Sequence, residues 1–129
     1  MEDSGKEACG RVYSECVNMI VPVRDALDIL SGKWKLPIII ALSFGNKRFK
    51  QIAHEIPNIT DKMLSKELRD LEQNHLVKRT VYDTFPVTVE YSMTEYGKSL
   101  DKVIDELRKW GVAHRKRIAG KIEVDSQDA

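Results

Sequence analysis

Residues 48–74 read RFKQIAHEIPNITDKMLSKELRDLEQN, and this stretch decides the fold. Its first part places apolar side chains at helical spacing and predicts a short helix that ends at Pro57. Thr60 then suits an N-cap and Asp61 suits the positive end of a helix dipole, so a second helix is predicted to run to about Asn74. Two helices separated by a tight turn are therefore expected.

The second of these helices has two chemically different faces. Leu64, Leu68 and Leu71 recur along one side, which is typical of a packed face. At about 100° per residue, basic side chains fall on the opposite side. A basic stripe opposite an apolar one is equally often a plain solvated face, so this helix alone does not establish a binding function.

The flanking sequence predicts the remaining elements. Residues 1–20 form a partly mobile extension with helical character near its end, and residues 119–129 form an acidic, flexible tail. The other predicted elements are a first helix over 23–30, a central buried helix from 33–36 to 42–45, strands over 77–82 and 87–93, and a helix of roughly twenty residues capped by Thr94.

This order of elements is typical of a mainly α (α+β) fold, a winged helix-turn-helix over 21–93 with a long C-terminal dimerisation helix over 94–118. In such a domain the helix after the tight turn enters the major groove, which is about 12 Å wide, and the hairpin lies along the backbone or minor groove. The predicted DNA contacts are Lys62, Ser65, Lys66 and Arg69 in the groove, Lys47, Arg48, Lys50 and Thr60 on phosphates, and Thr84 and Thr88 on the wing.

The composition limits the class of protein. A chain of 129 residues with 42% hydrophobic and 32% charged residues predicts one globular domain and excludes collagen-like and wholly disordered chains. Its apolar runs are far shorter than the ~20 residues of a membrane span, and its acidic start differs from a signal peptide, so we expect a cytoplasmic protein. The net charge of +1 conceals a basic segment over 46–82, which favours an anionic partner.

A resemblance rests on several short motifs. The chain contains, in this order, Pro22-Val23, Gly32-Lys33-Trp34, Arg48-Phe49, Ile59-Thr60, Lys62-Met63-Leu64 and Val89-Glu90-Tyr91-Ser92-Met93-Thr94 followed by Gly97. With these motifs the chain resembles the HxlR family of winged-helix transcriptional regulators. The resemblance implies a bacterial or archaeal homodimer that binds double-stranded DNA at an inverted repeat in a promoter. It also implies an effector, often an electrophile, an oxidant or a small metabolite.

The chain departs from that family at two places. Many members have a sensing cysteine before the Pro-Val pair, where this chain has Val21, and an arginine before Val-Glu-Tyr, where it has Thr88. Cys9 and Cys16 are candidates for a displaced redox sensor, although a cysteine in an apolar stretch is more often an inert packing residue. In a helix their backbones would be about 10 Å apart, too far for a disulfide.

The final helix carries an apolar stripe that a monomer would leave in water, so we expect a dimer interface there. The predicted dimerisation residues are Leu100, Val103, Ile104, Leu107 and Trp110. Trp34 and Trp110 could line an effector pocket, but large aromatics in a small protein are more often core or interface residues.

Other chemistries find little support. The three histidines lack metal-ligand spacing, and the chain has no nucleophile elbow or glycine-rich phosphate loop, so no metal, no cofactor and no catalysis are predicted. Arg79 and Glu90 on the two strands suit a cross-strand ion pair as well as Arg79 suits a phosphate contact. The alternative function is a winged-helix module that binds a protein and has no sequence-specific DNA binding.

Overall fold

The computed structural model describes the backbone of residues 2–128 and the side chains of residues 13–120. No helix of the described part is long and apolar enough to cross a membrane. The elements are α1 (Glu2–Leu30), α2 (Lys35–Ser43), α3 (Phe49–Glu55), α4 (Asp61–Gln73), β1 (Val77–Tyr82), β2 (Thr88–Met93), α5 (Glu95–Lys98) and α6 (Asp101–Asp128).

The core lies where α2, α3, α4 and the base of the hairpin meet. Helix α2 is apolar around its circumference and buries most of its length, as predicted for a central helix. Each fully buried leucine or isoleucine contributes about 1.5–3 kcal/mol by leaving water. The side chains of this core include Ile38, Ile39 and Leu42 of α2, Ile52 of α3, Leu64, Leu68 and Leu71 of α4, and Val77 and Tyr91 of the strands.

Helices α3 and α4 are joined by a tight turn. Asn58 has a φ of 69°, a left-handed conformation that asparagine tolerates better than most residues. The Thr60 hydroxyl accepts a hydrogen bond of 3.1 Å from the backbone N–H of Met63, so the predicted N-cap of α4 is confirmed. This pair of helices is a helix-turn-helix unit.

Strands β1 and β2 pair antiparallel, from Val77 opposite Met93 to Tyr82 opposite Thr88. The segment before α3 joins this hairpin, because the backbones of Lys47 and Tyr91 exchange two hydrogen bonds of 3.0 and 2.8 Å. This bridge attaches the start of the helix-turn-helix unit to the base of the hairpin.

The cross-strand pair between Arg79 and Glu90 is not formed. Arg79 lies opposite Tyr91, whereas Glu90 lies opposite Thr80, so Arg79 and Glu90 are on different faces of the hairpin. Glu90 instead accepts hydrogen bonds from the Tyr82 hydroxyl at 3.1 Å and from the Asn46 amide at 3.2 Å. The hydrogen bond that the Tyr82 hydroxyl donates to Glu90 raises the pKa of Tyr82, and the negative charge of Glu90 raises it further by opposing ionisation of the hydroxyl.

The two ends of the chain differ from the prediction. Helix α1 starts at Glu2, where a partly mobile extension over 1–20 was expected, and it continues through Pro22. The extension is polar, but Glu, Lys, Ala and Arg are good helix formers, and two glycines weaken a helix by only about 1 kcal/mol each. Helix α6 likewise runs to Asp128, where a flexible tail over 119–129 was expected.

The single final helix predicted from Thr94 is in fact two helices. The hydroxyl of Thr94 caps α5, and hydrogen bonds spanning three residues at Ser99 and Leu100 tighten its end before α6 begins at Asp101. Gly97 is buried between these helices and the hairpin, where a Cβ would collide with the backbone oxygen of Leu76. The break allows α5 to stay against the hairpin while α6 extends away from it.

Candidate nucleic-acid interface

One face of α4 carries the side chains predicted to enter a groove. Lys62, Ser65, Lys66 and Arg69 are all exposed, whereas the three leucines of the opposite stripe are buried. The four exposed residues line one shallow concavity together with Thr60 and Met63. We call this surface the cationic face of α4. Its three basic side chains can bind phosphate or the acceptor atoms of guanine.

A second concavity adjoins the cationic face at the base of the wing. Ser65, Arg69 and Glu72 of α4 line it together with Arg79 and Tyr91 of the hairpin. Two arginines from consecutive elements, α4 and β1, therefore converge on one polar depression. Sequence reasoning left the role of Arg79 open, although its two-residue spacing from the buried Val77 indicates that it shares the side of β1 that faces the core.

The three basic residues before and at the start of α3 have different surroundings. Arg48 and Lys50 are exposed and available to a partner. The Lys47 ammonium lies 2.9 Å from the carboxylate of Glu55, and its side chain is only 16% exposed. The predicted phosphate contact of Lys47 would therefore compete with an internal ion pair.

The tip of the wing is exposed and contains no basic side chain. The Thr84 hydroxyl donates to the carbonyl oxygen of Pro86 at 2.8 Å and lies 2.9 Å from the Thr88 hydroxyl. These hydrogen bonds close the loop internally and leave Phe85 fully exposed. Asp83 beside them is exposed and acidic. The tip therefore offers an exposed aromatic ring to a partner but no positive charge, and its threonine hydroxyls are engaged within the loop.

Behind the cationic face, α4 is connected to α2 by an ion cluster. The Lys35 ammonium lies 2.9 Å from the Glu67 carboxylate and 3.4 Å from that of Asp70. Desolvation lowers the pKa of Lys35, but the hydrogen bond and charge of Glu67, followed by those of Asp70, outweigh it and place this pKa above its ordinary value. Lys35 is therefore a fixed positive charge at neutral pH.

The predicted dimerisation stripe divides into two sets. Leu100 and Ile104 pack against the core of their own chain. Val103, Leu107 and Trp110 remain 48%, 53% and 68% exposed, and the Trp110 ring stacks on His114 at 4.9 Å. Helix α1 adds further exposed apolar side chains, among them Met19, Ile20, Val23 and Leu27.

The two tryptophans of the proposed effector pocket lie in different surroundings. Trp34 packs against the core with the Lys33 ammonium 4.9 Å above its ring, whereas Trp110 is exposed on α6. A groove of about 600 Å³ does lie between α2 and α6. Its lining includes Leu36, Ile40, Phe44, Ile104 and Leu107.

The structure describes the side chains of one of the two cysteines and of most of the residues considered as metal ligands. Cys16 is exposed on α1 in the single chain, and both its packing and its redox role stay predictions. Cys9 lies outside the residues whose side chains are described. Within residues 13–120, no group of three histidine, cysteine or carboxylate side chains could hold a metal ion.

A helix-turn-helix unit beside a two-stranded wing is the winged helix-turn-helix fold, whose second helix is the recognition helix in DNA-binding proteins. The sequence matches the HxlR-like helix-turn-helix family over residues 29–119, and the chain belongs to this family. The predicted fold class and family are both confirmed.

Relatives of this chain are named as transcriptional regulators, one of them, YtcD, from Bacillus subtilis (strain 168). The HTH-type transcriptional regulator YtcD is 41% identical over 100 residues, which cover 78% of this chain and 79% of YtcD. The crystal structure of YtcD superposes with a TM-score of 0.71 over 73% of this chain and 96% of the other. The redox regulator HypR in its reduced form is 37% identical and superposes with a TM-score of 0.72 over 77% of this chain and 98% of the other. This chain is accordingly a transcriptional regulator of the HxlR type.

Proposed function

We propose that this regulator is a homodimer that binds an inverted-repeat operator in double-stranded DNA, with α4 in the major groove. The observation that carries the proposal is the two-sidedness of α4. Its leucines are no more than 1% exposed, so the helix cannot turn its other face inward, and that outward face carries Lys62, Lys66 and Arg69. A basic, rigidly held helix surface of this kind suits the electronegative major groove.

The surface divides into base-reading and phosphate-binding parts. The exposed side of α4 from its first turn onward suits base edges, which a recognition helix contacts with its N-terminal part. The residues on this side are Lys62, Ser65, Lys66 and Arg69. Arg48, Lys50 and Thr60 lie at its margins and suit phosphates, which position the protein without reading sequence. Arg79 joins this set, because it shares a concavity with Arg69.

The wing contributes contacts of another kind. Thr84 and Thr88 would reach the backbone or minor groove by exchanging their internal hydrogen bonds for bonds to DNA. Residues 81–93 contain no lysine or arginine. The tip of the wing therefore adds little to electrostatic affinity, and α3, α4 and Arg79 of β1 supply most of it.

Dimerisation is supported by the exposed apolar side chains of α1 and α6. A contiguous apolar surface on a small monomer marks an interaction site, and a two-fold dimer would cover Val103, Leu107 and Trp110 with their symmetry mates. Two α4 helices related by that axis would read half-sites about 10–10.5 base pairs apart, or a multiple of this spacing.

The test begins with selection of bound sequences from a pool of random duplexes, followed by affinity measurement on the selected and a scrambled duplex. Arg69→Ala removes this side chain from both subunits and should lose about 30- to 25,000-fold on the selected duplex, which corresponds to about 2–6 kcal/mol for two base contacts of about 1–3 kcal/mol each. Lys98→Ala is the matched control, because Lys98 is an exposed lysine outside this surface. If selection yields no preferred sequence and Arg69→Ala binds like the unaltered protein, the protein-interaction module becomes the better explanation.

A further inference from the structure

Glu67 occupies an unusual position on the recognition helix. Among the side chains of residues 13–120, it is the one buried charged group, with 9% of its surface exposed. It follows Lys66 and precedes Arg69 by two residues, so it lies in the same turn as the cationic face but points inward. A buried carboxylate needs a positive partner and hydrogen bonds, because burial of an isolated charge is strongly unfavourable.

The partner of Glu67 comes from α2, 32 residues earlier in the chain. The Lys35 ammonium donates a hydrogen bond of 2.9 Å to Glu67 and one of 3.4 Å to Asp70. The side chains of Lys35 and Glu67 are each 12% exposed, whereas that of Asp70 is 37% exposed. One ammonium on α2 therefore holds two carboxylates one turn apart on α4.

Helices α2 and α4 also share an apolar core. Ile38, Ile39 and Leu42 meet the leucine stripe of α4, and such packing has little directionality. Apolar packing holds α4 in place but is compatible with several small rotations of the helix about its axis, whereas a hydrogen-bonded ion pair favours one of them. Rotation by about 10° moves a side-chain end that lies about 6 Å from the axis by about 1 Å. This displacement is about twice the spread of about 0.5 Å in ordinary hydrogen-bond lengths, so it would weaken the 2.9 Å bond between Lys35 and Glu67.

We propose that the Lys35–Glu67–Asp70 cluster is a positioning device that fixes the rotation of α4 and thereby sets how well the protein discriminates its operator from other DNA. The inference rests on the proposed function, since discrimination requires an operator. None of the three side chains contacts DNA in this proposal. Their effect reaches the bases through the orientation of Lys66 and Arg69, which flank Glu67 on the same helix.

The test compares variants by the ratio of affinities for the selected and the scrambled duplex. Lys35→Met/Glu67→Leu replaces the buried pair by apolar side chains, a change that commonly preserves stability because no unpaired buried charge remains. We expect this double variant to keep cooperative thermal unfolding and the affinity for the scrambled duplex. Its discrimination ratio should fall at least about tenfold, or 1.4 kcal/mol in the free energy of discrimination.

Two further variants separate positioning from stability. Lys35→Arg keeps a positively charged hydrogen-bond donor next to both carboxylates, so this variant should retain most of the discrimination ratio of the unaltered protein. Asp70→Asn alters the more exposed carboxylate, should fold normally, and should lower the ratio by about two- to threefold, consistent with one weakened hydrogen bond. The control is Glu95→Ala/Lys98→Ala, which removes an exposed ion pair outside α4 and should leave the ratio unchanged.

The outcomes are distinguishable. If the folded double variant and Asp70→Asn both discriminate like the unaltered protein, the cluster contributes only to stability and the inference is overturned. If the unaltered protein itself selects no sequence, the proposed function fails first and the inference fails with it.

Discussion

Lys50 and Lys47 should affect the salt dependence of DNA binding differently, because Lys50 is exposed whereas Lys47 forms an ion pair with Glu55. A dimer presents two Lys50 side chains. In a plot of the logarithm of the binding constant against the logarithm of the salt concentration, each phosphate contact contributes about 0.9 to the magnitude of the slope. Lys50→Ala should therefore reduce the magnitude of the slope by about 1.8. Between about 50 and about 200 mM salt, the affinity of this variant should fall about 12-fold less than that of the unaltered protein.

The matched control removes Lys47 together with its partner, Glu55. Because the Lys47–Glu55 ion pair, at 2.9 Å, is electrically neutral as a whole, Glu55→Ala/Lys47→Ala should leave the slope nearly unchanged. Fluorescence anisotropy on a labelled random duplex at several salt concentrations measures both slopes. An equal loss of slope in the two variants, or none in Lys50→Ala, would refute the assignment of Lys50 to phosphate.

Three further predictions concern stability and assembly. Gly97→Ala should lower the free energy of unfolding by about 1–3 kcal/mol, because its Cβ would collide with the Leu76 carbonyl. Gly120→Ala has open space around its Cβ and should instead raise the free energy of unfolding by about 0.5–1 kcal/mol. Denaturant titrations measure both changes. Leu107→Glu should shift the dimer to monomer in sedimentation experiments, and an unchanged sedimentation coefficient would contradict the proposed interface. The raised pKa of Lys35 stabilises the fold below the ordinary lysine pKa, and this contribution is lost as the pH rises through the folded-state value. Denaturant titrations between about pH 10 and 12 should therefore show a steeper loss in the unaltered protein than in Lys35→Met.

Local signals were sufficient for the helix-turn-helix unit. The leucine spacing of α4 and the Thr60 cap are properties of adjacent residues, so the sequence alone predicts both the helix and the side that carries Arg69. The hairpin was also predictable from the sequence, because β-prone runs flank a loop that contains Pro86.

Long-range contacts were the part that sequence reasoning could not supply. The pairing of Lys35 with Glu67 depends on how α2 crosses α4, and the meeting of Arg69 with Arg79 depends on where the hairpin packs. The stripe at Leu100 and Ile104 was predicted to dimerise, because periodicity identifies an apolar face but not which neighbour covers it. The same reasoning explains why Lys47 was grouped with the exposed basic residues.

The backbone bridge between Lys47 and Tyr91 also bears on how such regulators can diverge. It anchors the hairpin at its base, while residues 83–87 at the far end are exposed throughout. The loop can therefore change in length and chemistry without altering the geometry of α3 and α4. Under the proposed function, changes confined to this loop would alter contacts with DNA that flanks the groove and would leave the contacts made by α4 in place.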